Sequence, residues 1–364
     1  MLLIPPIMLG IVIMITIPKH RPALRVRMTN IRDVAKLASV APITVSRVIN
    51  GAESVTEGTR QRVQHAIDQL HYVPNTLARS LRSHQTNTFA LIVSDITNPF
   101  WTTVARGVED TAAENDFRTI LCNSDEDPVK ETTYLNLLVE RRVDGVIIAP
   151  ATGDKKRLAL LKQLQVPCVL IDRRVEGFKA DLVYGDSRTG ARLLIDHLID
   201  LGHRRIALIN GPATISSARD RAEGYRESLE AHGLGREAGL VFQGEFKQES
   251  GYQLVKQALA GEPRPTAIFA ANNFIALGAL QALQEADLRV PEDVALVCID
   301  DVPYLSAVDS FLTVAVQPAY EMGESAAQLL IERLSAPLGD KTREVMLAPQ
   351  LIVRRSCGQY LLAS

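Results

Sequence analysis

Catalytic signatures are what this chain of 364 residues most clearly lacks. No G-x-S-x-G, H-E-x-x-H, phosphate-binding loop or glycine-rich dinucleotide fingerprint occurs, so the usual machinery of acyl transfer, zinc proteolysis, nucleotide hydrolysis and hydride transfer is missing. The seven histidines, at positions 20, 65, 71, 84, 197, 203 and 232, are scattered through expected helices and loops. Cysteine is also scarce. Cys122, Cys168, Cys298 and Cys357 are far apart and form no C-x-x-C pair, which argues against a structural zinc site; three of them lie in apolar runs, which suggests buried, reduced thiols. Neither a cofactor nor a metal is expected, and the chain does not read as an enzyme. Low-complexity tracts and convincing internal repeats are absent, and 46% hydrophobic with 23% charged residues excludes disorder in favour of a sizeable core in two or three domains.

The overall charge of −2 hides an uneven distribution. Residues 1–27 carry +4 from Lys19, Arg21, Arg25 and Arg27, residues 28–87 carry +3, and the remainder carries −9. A basic head on an acidic body favours a polyanionic partner at the N-terminal end only. Residues 2–17, "LLIPPIMLGIVIMITI", are apolar, yet Pro5 and Pro6 interrupt the run and the basic residues follow rather than precede it. The run also falls short of the roughly 20 residues needed to span a bilayer. Residues 1–27 are therefore expected to be an upstream extension or a mis-assigned start before Met28. A membrane-tethered protein with the basic flank inside is the alternative. No stable membrane association and a cytoplasmic location are expected.

From Thr29 the pattern is helical. Ile31, Val34, Ala35 and Ala38 share one face, with Thr29 or Asn30 as N-cap; after a short turn at 39–41, Val45, Val48 and Ile49 form a second stripe; Val63, Ala66, Ile67 and Leu70 form a third. Pro74 ends this unit, and "NTLARSLRS" (75–83) is too short to be a stable helix alone, so it reads as a linker that needs a partner to fold. Beyond Thr88, apolar runs of four to seven residues such as "FALIVSDI", "RTILCNSD", "DGVIIAP", "CVLIDR", "LVYGDS", "RIALING", "TAIFAA" and "DVALVCID" alternate with longer helical segments. Continuous β-branched runs alternating with helices indicate parallel sheets covered on both faces, with room for two such sheets. The helical stretch 187–203 is a natural place for the chain to pass from one lobe to the other.

The block "NIRDVAKLASVAPITVSRVINGAESVTEGTRQRVQHAIDQLHYVPNTLARSL" resembles the DNA-binding head of the lactose-repressor (LacI/GalR) family of bacterial transcription regulators. The likeness continues in order through "DITNPFW", "VDGVIIAP", "LGHRRIALINGP", "SARDRAEGY", "AANNFIALGAL" and "VALVCIDD". It implies an all-α helix-turn-helix head (28–74), a hinge (75–87), a two-lobed α/β periplasmic-binding-protein-like body (88–356) and a short tail (357–364). The function implied is a repressor, homodimeric on a palindromic operator, whose DNA affinity is set allosterically by a small molecule, expected to be a sugar acting as inducer. A purine-type co-repressor and an exported solute-binding protein are the alternatives; the latter would leave residues 28–83 without use.

By the same resemblance Pro42 and Ile43 occupy base-reading positions on the second helix. Pro42 suits a first helical turn, where its missing N–H would have no partner anyway. Neither residue can hydrogen-bond to a base, so discrimination is expected from Ile43 against thymine methyls, from Arg47, and from a deformable central step. Thr44, Ser46, Asn50 and Thr59 are expected to position the backbone. Asn75, Ala78 and Leu81 belong to the hinge, with Leu81 as the minor-groove wedge, which implies two subunits acting together. In the body Phe100, Trp101, Asp172, Arg173, Arg221, Phe246, Asn272 and Asp300 are expected around an effector: a guanidinium, a carboxylate and an amide about an aromatic face suit vicinal hydroxyls. One departure stands out. Many relatives have Asp where this chain has Asn273, which removes a charge beside the cleft.

Overall fold

The computed structural model describes residues 29–49, 51, 52, 54–72, 86–163, 165–235, 239–302, 310–335 and 341–359. These fall into a head and a body. The extension 1–27, Asn50 and the hinge residues Asn75, Ala78 and Leu81 lie outside the described residues.

The head contains α1 (Ile31–Leu37), α2 (Pro42–Ile49) and α3 (Glu57–Gln69). Asn30 is the N-cap of α1: its side chain accepts from the Arg32 and Asp33 amides while Asp33 accepts from the Asn30 amide, a reciprocal cap that meets orphan donors of the first turn. Ser39 takes a left-handed conformation between α1 and α2. Val34, Ala35, Ala38, Val45, Val48, Val63 and Ala66 close a small core, so the three apolar stripes meet.

The body is built on two six-stranded sheets of matching order, β2-β1-β3-β4-β5-β11 and β7-β6-β8-β9-β10-β12. The first holds β1 (Thr88–Val93), β2 (Arg118–Asn123), β3 (Gly145–Ile148), β4 (Cys168–Ile171), β5 (Asp181–Gly185) and β11 (Glu344–Leu347). The second holds β6 (Ile206–Asn210), β7 (Gly239–Gln243), β8 (Ala267–Ala270), β9 (Ala295–Ile299), β10 (Thr313–Val316) and β12 (Gln350–Ile352). Every pairing is parallel except β10 with β12. Along β1, Phe89, Leu91 and Val93 enter one core while Ala90 and Ile92 enter another, so each residue of the strand needs an apolar side chain. The strands β7, β10, β11 and β12 are not evident as apolar runs; β11 and β12 are short and half exposed, and their pairing partners are remote in sequence.

Three short segments join the lobes: Asp186 after β5, residues 317–318 after β10, and residues 348–349 between β11 and β12. Helix α7 (Ser187–Asp200) thus opens the second lobe, while α11 (Ala319–Ser335) returns to the first. Cys357, expected to begin the tail, is instead buried in the second lobe's core, where its Sγ lies 3.3 Å from His197 Nε2; the body extends at least that far. All four cysteines are free and buried, and burial pushes the Cys168 thiol up to about 12. Among the described residues no helix is long and apolar enough to cross a membrane.

Where α11 crosses α4 (Pro99–Glu114), the backbones touch through Gly107 and Gly323. A Cβ on Gly107 would lie 2.2 Å from the Tyr320 carbonyl oxygen, and one on Gly323 2.2 Å from that of Val104. Gly107→Ala is therefore expected to force the helices apart and lower stability by about 1–3 kcal/mol, read as a lower denaturant midpoint at unchanged slope.

Candidate functional site: a recognition surface and a polar cleft

In the head, Pro42, Ile43 and Arg47 are exposed on α2 while Val45 and Val48 point inward. Ile43 is 49% exposed, unusual for a large aliphatic side chain on an eight-residue helix, and sits one turn from Arg47. Thr44 and Ser46 are half-buried beside them. Thr59, near the start of α3, shares a hydroxyl hydrogen bond with Thr56 at 3.0 Å and accepts from Arg62. The outward face of α2 therefore presents an apolar knob and a fixed cation.

In the body, a cleft with a volume of about 390 Å3, including space open to solvent, lies at the carboxyl ends of both sheets. All eight residues expected there line it, together with five that sequence reasoning did not single out: Asp95, Asn98, Glu126, Ser217 and Gln317. Each of the five follows a strand or opens a helix; Asp95, Asn98 and Ser217 lie inside the family-like motifs, while Glu126 and Gln317 lie outside them.

Asp172 and Asp300 occupy equivalent places, the first residue after β4 and after β9, both in the left-handed region at φ 64° and 66°. Asp tolerates this conformation better than most residues. It turns each carboxylate into the cleft while the amide still bonds across the sheet to Val183 and to Ala315. Gln317, in the second crossover, donates to both Asp300 oxygens at 3.2 and 3.0 Å. Burial pushes the Asp300 carboxyl up to about 6, against the opposing pull of Arg221 and of the Gln317 hydrogen bonds.

Arg173 makes a two-pronged pair with Glu126 at 2.7 and 2.6 Å and donates to the Pro150 carbonyl. Arg221 donates to Ser187 Oγ and to the Ala271 carbonyl. The Phe246 ring lies between the two guanidiniums, 5.8 Å from Arg173 and 5.5 Å from Arg221. Gly211 lets the ring settle there, since a Cβ on it would lie 2.3 Å from the ring. Phe100 and Trp101 pack edge to face at 4.9 Å and belong to the first lobe's core as well as to the cleft wall. Asn272 caps α10 (Asn273–Glu285) through Ile275 N and donates to the Phe246 carbonyl. Asn273 is not in the cleft wall; its amide is paired with that of Asn98 in the other lobe. Two buried atoms, Arg173 Nε, which lies 3.6 Å from Asp172 Oδ2, and Gln317 Oε1, which packs against Gly185, have no hydrogen-bond partner.

Residues 30–75 match the model of bacterial regulatory proteins of the lacI family, and residues 195–357 match that of a periplasmic binding protein-like domain. The ribose operon repressor of Escherichia coli K12 is 37% identical over 330 residues, covering 90% of this chain and all of that protein. The chain belongs to the lacI family of bacterial regulatory proteins. As a member of that family it is a DNA-binding transcriptional regulator rather than an enzyme. A lac repressor dimer bound to operator and an anti-inducer matches over 91% of this chain and 99% of its own, at TM-score 0.78 and 27% identity. A lacI-family regulator from Enterococcus faecium with bound ribose is 32% identical, at TM-score 0.67, over 74% of this chain and 98% of its own.

The raised Asp300 carboxyl sets a pH dependence. Because it holds its proton more tightly folded than unfolded, it favours the native state most below about pH 4, and this contribution fades as pH rises through about 6. Denaturant midpoints at pH 4.5 and 7.5 are expected to show the wild type gaining on Asp300→Asn upon acidification; an unchanged gap would reject the shift.

Proposed function

We propose that this regulator is a homodimeric cytoplasmic repressor of a palindromic operator, and that its cleft takes an uncharged sugar of monosaccharide size as inducer. The mixture of groups lining the cleft supports the reading: the carboxylates of Asp172 and Asp300 accept hydrogens, while the guanidiniums of Arg173 and Arg221 donate them. A hydroxyl both donates and accepts, so a polyol can meet both kinds of group. Asp95, Asp172 and Asp300 add acceptors for further hydroxyls, and Phe246 offers a flat apolar surface. With Asp95, Glu126, Asp172 and Asp300 set against Arg173 and Arg221, the cleft carries an excess of acidic groups that disfavours phosphorylated ligands. D-ribose is the first candidate, in keeping with the E. coli and E. faecium relatives.

In the effector site we assign Arg221, Asp300, Asp172, Arg173 and Asn272 to polar contacts, and Phe246, Phe100 and Trp101 to apolar ones. In the head we assign base contact to Pro42, Ile43 and Arg47, and backbone contact to Thr44, Ser46, Asn50 and Thr59. Asn75, Ala78 and Leu81 are assigned to a hinge in the minor groove. Effector bound between the lobes favours one lobe arrangement over another and so alters operator affinity.

Gel-shift titration with D-ribose, ribose 5-phosphate and purine bases separates the effector classes: ribose alone is expected to release the operator, and release by a phosphate ester would overturn the uncharged-ligand assignment. Arg221→Ala is expected to abolish the ribose response while leaving operator affinity in place. In a binding-site selection, Ile43→Ala should relax preference at one or two positions of each half-site, whereas Arg47→Ala should weaken binding across all sequences. Unaltered base preference for Ile43→Ala would reject its role in reading.

A further inference from the structure

Polar contacts between the two lobes differ in character; besides those at Ser217, which donates to Asp172 at 3.4 Å, and at Arg219, 3.7 Å from Glu176, two groups stand out. At the rim, Arg174 pairs with Asp220 at 2.5 and 2.7 Å, and its backbone amide donates to Ser216 Oγ at 2.8 Å. The Arg174 side chain is 37% exposed, so water competes for this ion pair. The second set is buried. Asn98 Nδ2 donates to Asn273 Oδ1 and Asn273 Nδ2 donates to Asn98 Oδ1, both at 2.9 Å. These residues are 6% and 1% exposed.

Each amide is held by its own lobe. Asn98 is the N-cap of α4 and also accepts from the Phe100 amide at 3.0 Å. Asn273 is the first residue of α10; its Oδ1 accepts from the Phe274 amide at 2.8 Å, and its Nδ2 also donates to the Asp301 carbonyl at 3.3 Å. The two side chains are thus oriented before they meet, which lowers the entropy lost in joining them. Only an amide suits both places. A carboxylate at 273 could accept from Asn98, but it could not donate back, and it would confront the Asp301 carbonyl oxygen. Two helix N-termini nearby would favour negative charge, so the amide at 273 serves the reciprocal pair rather than the helix dipole.

We propose that the Asn98–Asn273 amide pair is the latch that holds the lobes together, and that Asn273 governs effector affinity as a positioning residue without touching the effector. Parting the lobes breaks both hydrogen bonds at once and leaves up to four polar groups to find water. The inference rests on protein–protein contacts alone and stands whether or not ribose is the effector.

The test is hydrogen exchange of the full-length protein, read at the Arg174 amide. That amide is bonded across the lobes to Ser216 and does not touch the latch. It gains exposure through Asn273→Ala only if the lobes part more often. Exchange there is expected to quicken about tenfold in Asn273→Ala. Asn98→Ser, which keeps a side-chain acceptor for Phe100 N but is too short to pair with Asn273, should quicken it similarly. Circular dichroism melts establish that both variants are folded, and Asn98→Ser preserves helix capping should Asn273→Ala prove unstable. Unchanged Arg174 exchange in a folded variant, or a change confined to residues adjoining the substitution, overturns the latch.

Discussion

Everything in the body follows from the need of a parallel sheet to be covered on both faces. Side chains within β1, β3, β4, β6, β8 and β9 are committed to apolar packing on one side or the other, and almost none is left for chemistry. Polar function is therefore driven to the strand ends and the helix starts that follow them. Asp95 and Asn98 come after β1, Glu126 after β2, Asp172 and Arg173 after β4, Phe246 after β7, Asn272 after β8, Asp300 after β9 and Gln317 after β10. Because all these strands run the same way within each sheet, their ends gather on one side. Two such sheets joined by three short crossovers bring two sets of ends together.

Charge in the cleft is handled by pairing rather than by solvent. Arg173 is matched to Glu126 at 2.6 Å, Arg221 is tied to backbone and hydroxyl oxygens, and Asp300 is met by Gln317. Such arrangements fix side-chain direction more than they add stability, since removing charges from water offsets most of the attraction. The outcome is a rigid set of donors and acceptors around one aromatic ring, prepared for a ligand that both donates and accepts.

Much of this was legible in the chain. The helices of the head announced themselves because Val34 and Ala38, Val45 and Val48, and Val63 and Ala66 fall three or four residues apart beside polar neighbours. The central strands did so because both of their faces are buried and their sequences are continuously apolar. The strands β7, β10, β11 and β12 did not; β11 alternates exposed and half-buried residues, and β12 is only three residues long. Among cleft residues, those in motifs shared with the family were recognisable. Glu126 and Gln317 were not, because acquiring a role required only that a strand end beside them, and Asp95, Asn98 and Ser217, though inside those motifs, were not singled out within them.

By itself the sequence determined the three-helix head, the two parallel-sheet lobes and the set of polar residues near their strand ends, since hydrophobic period and local capping are properties of short stretches. Only the tertiary structure decided which of those residues meet. Asn273 was legible in sequence as a missing charge beside the cleft; folding brings it within 2.9 Å of Asn98, 175 residues away. What looked like the absence of a carboxylate is the presence of a second amide, and reciprocal donation is a property that neither residue has alone.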